Sequence, residues 1–417
     1  MKFIKISSLM FFSVLFSVCL FIGIEVFLYI VSPKYDRLSD ILRIIEQDSV
    51  LFWKQKSNLN TVFQNQNLNT NSLGLRSHEI KDKSVKRIIC MGASPTFGWG
   101  VKYEDTYPMV IGKIISDKGF NVETINAGQI GYSSYQGVKL FSDMILSLKP
   151  DIITVSYVIN DIDKYRFFRN SSQRDSQVNQ VSKSYIFINN ILNRSKIFSF
   201  IRRIVMKNQS NKTKFYGSKH SNGYNENRRV NMEEYENNLN EILNIAEKNN
   251  IKVVFIVMPV NLPSKKELNE DENSKLATFI DSLKSEVKNN NYIMAKMFTA
   301  KILEIDKYNS IAYYYMAVIA ENNKDYQVAE KLFEISKNFE IFDCAYTAKQ
   351  YNEIMRQIAK KRNIPLCDSA NFFVEYKKDY LFVDPKLDCF HPNAKGHQLI
   401  AEKLYGVIAK LLQGNKN

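Results

Sequence analysis

The sequence predicts an α/β domain built on five parallel strands, with helices on both faces of the sheet. An apolar amino-terminal helix precedes it and two long insertions interrupt it. Two observations carry this reading. Five short apolar runs bounded by polar or turn residues read as buried strands, at 86–91, 121–126, 151–157, 251–258 and 364–367. Helical patterns separate and follow them, at about 106–117, 133–148, 232–249, 345–362 and 394–412. Strands alternating with helices favour a parallel sheet covered on both faces. Ligands of such sheets bind beyond the carboxyl ends of the strands, so the residues after each strand hold the chemistry to be read.

The chain of 417 residues is long for one average domain. Residues 6–31 are apolar apart from Glu25 and long enough to cross a bilayer, which takes roughly 20 apolar residues. That length exceeds the apolar stretch of a cleaved leader, and no small-residue cleavage site follows. The expectation is an uncleaved, single-pass transmembrane helix ended by Pro33. Lys2 and Lys5 precede it and Lys34, Arg37 and Arg43 follow, so charge does not fix its orientation. Residues 33–84 are rich in Asn, Gln and Ser and read as a stalk and irregular segment. A catalytic domain is expected over 85–412, with insertions at 164–230 and 260–344.

The first insertion, 164–230, is polar and basic. Within it, 190–206 can form a helix with Ile191, Leu192, Ile197, Phe198, Ile201 and Val205 on one side and Arg194, Lys196, Arg202 and Arg203 on the other. The second, 260–344, is helical. With Ser310 as position one of a 34-residue frame, Tyr313, Met316, Ala317, Ala320, Ala329 and Phe333 fall at packing positions that resemble a tetratricopeptide repeat.

The strand ends carry the candidate site. Gly92-Ala93-Ser94-Pro95-Thr96-Phe97-Gly98 follows the first strand, and its glycines permit a tight turn that presents the Ser94 hydroxyl. Asn126-Ala127-Gly128-Gln129-Ile130-Gly131 follows the second, where Gly128 can offer a backbone N–H. Asn160-Asp161 follows the third and supplies a side-chain amide. Asp388-Cys389-Phe390-His391 stands before the last helix. A serine hydroxyl is a poor nucleophile until a base takes its proton. His391 can be that base, with Asp388 fixing its tautomer and stabilising the imidazolium. Donors for an oxyanion are expected from the Ser94 N–H, the Gly128 N–H and the Asn160 amide. Trp99 and Val158 are candidates to line the substrate cleft.

In that order these residues resemble the four blocks of the SGNH (GDSL-like) hydrolases: GASPTFG, NAGQIGYSS, VIND and DCFH, with HPNAKGHQLIAEKL after the last. NTNSLGLR at 69–76 is similar to a segment of anchored members. The resemblance covers 85–163, 231–259 and 345–412. It implies a flavodoxin-like three-layer α/β/α fold and an ester hydrolase without cofactor or metal, with the catalytic domain extracytoplasmic. The implied substrate is an acyl ester, such as an O-acetyl group on an envelope glycan or a lipid ester. Ala93 stands where the family has Asp, and Val158 where it has Gly. An O-acyltransferase on the same triad, and a catalytically inactive scaffold binding a protein partner through the helical insertion, stand as alternatives.

Net charge is +14, from 57 basic and 43 acidic residues. It is not spread over the chain. Residues 164–230 hold fifteen Lys and Arg against Asp175 and Glu226, a surplus of 13. The remainder is close to neutral, which argues against a nucleic-acid-binding protein. The basic insertion reads as a solvated loop, as a contact to anionic lipid, or as an attractor for an anionic polymer.

Overall fold

The computed structural model describes residues 2–31, 37–80, 82–162, 173–192, 195–198, 201, 228–261, 268–376, 380–384 and 388–413. Residues 193–194, 199–200 and 202–206 of the expected helix over 190–206, and more than half of the basic insertion, lie outside them. So do the side chains of residues 6–11 and 14, within the expected membrane span.

The chain opens with α1 (Lys2–Val31), followed by α2 (Arg37–Ile44). Counted over the described residues alone, no helix is long and apolar enough to cross a membrane. Two antiparallel hairpins come next: β1 (Ile45–Asp48) with β2 (Phe52–Gln55), and β3 (Asn60–Phe63) with β4 (Gln66–Asn69). This corrects the reading of 33–84 as a stalk. Trp53 and Leu68 are each 1% exposed and join the main core. The strands escaped notice because each is four residues long and mostly polar. The β3–β4 turn holds Gln64 and Asn65 at φ +50° and +58°, the left-handed pair that a tight hairpin needs.

The central sheet is formed by β5 (Lys86–Gly92), β6 (Val122–Gly128), β7 (Ile152–Ser156), β8 (Lys252–Val257) and β9 (Leu366–Asp368), in the order β6-β5-β7-β8-β9, all parallel. All five follow the predicted runs to within one or two residues. Successive residues of β5 face opposite ways. Ile89 and Met91 join one core with Leu140, Phe141, Tyr235 and Tyr351. Ile88 and Cys90 join the other with Tyr107, Ile111, Leu399 and Leu404. Those partners lie on helices of the two faces: α4 (Tyr107–Asp117), α5 (Ser134–Asp143), α8 (Met232–Lys248), α12 (Tyr326–Arg362) and α14 (Ala394–Gln413). Between α4 and α14, His397 is buried and accepts a hydrogen bond from the Tyr107 N–H at its Nδ1 (3.1 Å).

The remaining helices belong to the strand ends and the insertions. Short helices α3 (Ser94–Phe97) and α6 (Ile159–Ile162) follow β5 and β7, and α7 (Lys183–Leu192) stands within the basic insertion. Among the described residues the second insertion is built of helices: α9 (Glu270–Lys288), α10 (Tyr292–Ile305), α11 (Ser310–Asn322) and the first part of α12. Phe333 of α12 meets Tyr314 of α11 edge-on, with centroids 5.6 Å apart. The second insertion does not end at 344, because α12 runs on unbroken to Arg362 and packs Tyr351 and Met355 into the core. Finally, α13 (Ser369–Glu375) follows β9.

Candidate active site

Register brings the site together. Gly92 of β5 pairs with Gly128 of β6 on one side and Ser156 of β7 on the other. The three segments that follow therefore start at one level of the sheet. At the first, extended Ala93 turns the chain directly into α3. Ser94 stands at the first position of that helix, where the backbone N–H has no intrahelical acceptor.

Ser94, His391 and Asp388, 297 residues apart at the extremes of sequence, form one hydrogen-bonded chain. The Ser94 Oγ–H donates to His391 Nε2 at 2.8 Å. The His391 Nδ1–H donates to Asp388, 2.8 Å from Oδ2 and 3.0 Å from Oδ1. These partners define the tautomer, with the proton on Nδ1 and a free lone pair toward the serine. Asp388 also accepts the backbone N–H groups of Phe390 and His391, both at 2.9 Å. Burial pushes the Asp388 carboxyl up, but His391 and these N–H donors outweigh it and hold it below its ordinary value. Asn261 steadies the same loop: its N–H donates to the Cys389 carbonyl and its side-chain amide to the Asp388 carbonyl.

Trp99 lies flat against the imidazole, centroids 5.3 Å apart and planes 22° apart, and Phe63 of β3 closes on Trp99 edge-on at 5.0 Å. The amino-terminal hairpins thus form part of the wall around His391.

The Asn160 side-chain amide donates to the Tyr132 carbonyl at 3.1 Å. An amide has two N–H donors, so this bond fixes the group and leaves one donor. The Gly128 N–H, in contrast, donates to Asn126 Oδ1 at 3.0 Å. This corrects the expectation that Gly128 offers its N–H to an oxyanion. Gly128 is glycine for another reason: a Cβ there would collide with the backbone of Thr96 and Phe97. In the turn that follows, Gln129 N–H goes to the Gly92 carbonyl and Tyr132 N–H to the Gln129 carbonyl. Among the described residues, the N–H groups of Ile130 and Gly131 have no acceptor, and Gly131 has the left-handed φ of +77°. The signal was present in the sequence as the second glycine of NAGQIG.

That turn is gripped from three sides. Trp53 Nε1–H donates to the Ile130 carbonyl (2.9 Å), and Tyr132 O–H donates to the Trp53 carbonyl (2.6 Å). Arg229, at the end of the basic insertion, donates to the Gly131 carbonyl (2.7 Å) and to Asp175 (2.9 Å). Asp175 also accepts the Ser133 hydroxyl at 2.6 Å. Arg229 and Asp175 are 1% and 0% exposed. A second buried arginine, Arg76 of NTNSLGLR, donates to the carbonyls of Phe97 (3.0 Å), Gly98 (2.7 Å) and Val101 (2.9 Å). It satisfies the carboxyl end of the Ser94 helix. Neither arginine was singled out in the sequence, because nothing local marks a charge as buried.

Val158 borders a cavity of about 20 Å³ together with Ala93, Pro95, Ile159, Val260 and Phe390. Ala93 and Pro95 flank Ser94, and Phe390 precedes His391. A space that size admits about one water-sized group.

The arrangement lines up a serine hydroxyl, an imidazole that can take its proton and a carboxylate that orients the ring. That is the equipment of acyl transfer to a serine. No family model matches the chain, and no curated protein does. Solved structures similar to it include a member of the lipolytic protein G-D-S-L family from Veillonella parvula, at 13% identity, covering 78% of this chain and 99% of that one with a TM-score of 0.38. Another is Axe2, an acetylxylan esterase from Geobacillus stearothermophilus, at 12% identity, covering 78% and 94% with a TM-score of 0.38. A third is a lipase/acylhydrolase from Enterococcus faecalis, at 13% identity, covering 78% and 95% with a TM-score of 0.35. Likeness at that level adds no weight to the site, which stands on its own distances.

Proposed function

We propose that the protein is a membrane-anchored serine hydrolase of the SGNH type that cleaves a carboxylic ester. The observation that carries this reading is the unbroken Ser94–His391–Asp388 relay, at 2.8 Å for each link. Ser94 Oγ attacks the ester carbonyl while His391 Nε2 takes its proton. Asp388 stabilises the imidazolium. The tetrahedral oxyanion rests on the Ser94 N–H, the free Asn160 amide hydrogen and, in place of Gly128, the Gly131 N–H. Each such donor is worth about 2.7–4 kcal/mol in the rate. His391 returns the proton to the leaving alkoxide, and water then releases the acid from the acyl-serine by the same route. The intact relay favours an active enzyme over a scaffold.

The ester is proposed to be an O-acetyl group on an envelope glycan or a lipid ester. Anchoring is supported by the apolar composition of 6–31 and by α1, whose described side chains from Phe12 to Ile30 are exposed apart from partly covered Glu25 and Leu28. An extracytoplasmic catalytic domain and a protein partner at the tetratricopeptide-like helices complete the reading.

A fluorophosphonate probe is expected to label Ser94, and Ser94→Ala to abolish both labelling and hydrolysis of 4-nitrophenyl acetate. Turnover that survives the substitution would refute the assignment. Retention of the full chain in washed membranes, and its release by detergent alone, tests the anchor.

A further inference from the structure

Among the described residues, α7 meets the rest of the protein along the edge that faces β1. Ile186 is buried against β1, and Asn189 donates to Gln47 Oε1 at 2.9 Å. The other sides carry Tyr185, Phe187, Ile188, Ile191 and Leu192, between 40% and 67% exposed. Five large apolar side chains this exposed on a ten-residue helix leave apolar surface in water that burial would remove.

What covers them is indicated by where the helix leads. Three residues beyond Leu192, the chain is tied to α1. The Glu25 carboxylate accepts from the Ser195 hydroxyl (3.0 Å) and from the backbone N–H groups of Lys196 and Ile197, the latter at 3.0 Å. The Lys196 ammonium stands 5.7 Å from the Tyr29 ring. Glu25 precedes the end of α1 at Val31 by six residues, a rise of about 9 Å. If α1 spans a bilayer, that is headgroup depth, and the exposed face of α7 lies beside the same lipid. The charge agrees, since the segment containing α7 is the one holding a surplus of 13 positive charges, which complements anionic headgroups.

We infer that α7 is an interfacial helix, with its Tyr185–Leu192 apolar face immersed in the lipid surface entered by α1. The inference rests on the anchor reading. It makes the basic insertion a second membrane contact, docked on the anchor through Glu25.

The test uses the full chain reconstituted into phosphatidylcholine–phosphatidylglycerol vesicles containing lipids brominated at defined acyl positions. Tryptophan reporters are introduced singly as Phe187→Trp, Ile191→Trp, Phe21→Trp on α1 and Tyr380→Trp on the catalytic domain, against the background of Trp53 and Trp99. Expected is quenching of the 187 and 191 reporters by shallow bromines, of the 21 reporter by deeper ones, and none for 380. Quenching at 21 without quenching at 187 and 191 would overturn the inference while leaving the anchor intact. An unquenched 187 that cross-links to a second copy or to an added protein would equally overturn it. Absence of quenching at 21 would remove the anchor and the inference together.

Discussion

Substituting Asp388→Asn removes the charge of the relay and the acceptor that fixes the His391 tautomer. Shape is nearly preserved, and the side-chain oxygen can still accept the N–H groups of Phe390 and His391 at 2.9 Å. What disappears is the negative charge that faces the imidazolium, and the Oδ2 acceptor of the His391 Nδ1–H, whose place an amide N–H donor takes so that the free lone pair turns away from Ser94. The two side chains are 15% and 21% exposed, so the attraction is only partly screened. With charge centres about 4 Å apart and an effective dielectric of about 20, it is worth about 4 kcal/mol. At 1.36 kcal/mol per tenfold, the lost charge alone lowers kcat by about three orders of magnitude, the turned tautomer adds to the fall, and KM for 4-nitrophenyl acetate should change little. Stability tells the same story through pH. The Asp388 carboxyl is held below its ordinary value, so it contributes stability above that value and loses it as pH falls through the lowered one. The variant should lack this acid-labile part. A folded Asp388→Asn enzyme retaining kcat within twofold of the parent would refute the relay.

Three further outcomes follow from the same geometry. Val158→Gly should enlarge the cavity bordered by Ala93 and Pro95 and, if the acyl chain enters there, shift preference from acetyl toward butyryl and hexanoyl esters, read as the ratio of kcat/KM across a chain-length series. Asp175→Ala strands the buried Arg229, which should cost about 3–5 kcal/mol of stability, measured by denaturant unfolding at constant m. Asp161 is fully buried, and burial lifts its carboxyl to about 7 despite two hydrogen bonds from Ser134. Its ionisation therefore costs stability as pH rises from about 4 to 7, opposite in sign to Asp388. Asp161→Asn, which can still accept from Ser134, should flatten that interval in denaturant midpoints.

The sheet was legible because its strands are fully buried and read as continuous apolar runs. The serine and histidine were legible because each sits immediately after an element end, where function concentrates. What was not legible depended on partners distant in sequence. Trp53 reveals its place through Ile130 and Tyr132, and Arg229 through Asp175, Gly131 and Gln136. Gly128 and Gly131 look equivalent in the sequence. Only the Asn126 side chain, occupying the first N–H, separates a packing glycine from one with a free donor. The hairpins escaped because four-residue strands such as QNLN carry no apolar period.

The 37 residues of α12 make up a rod about 55 Å long, one end in the helical insertion and the other beneath the sheet. No loop separates the two, so no joint absorbs a change of length. Adding or removing one residue along the rod would turn the whole insertion by about 100° around the axis and move it 1.5 Å along it. Insertion and catalytic domain are therefore phase-locked. Gains and losses here should survive only in whole helical turns, of about seven or eleven residues, so the bearing of the insertion relative to Ser94 is a quantity that the helix itself keeps in register.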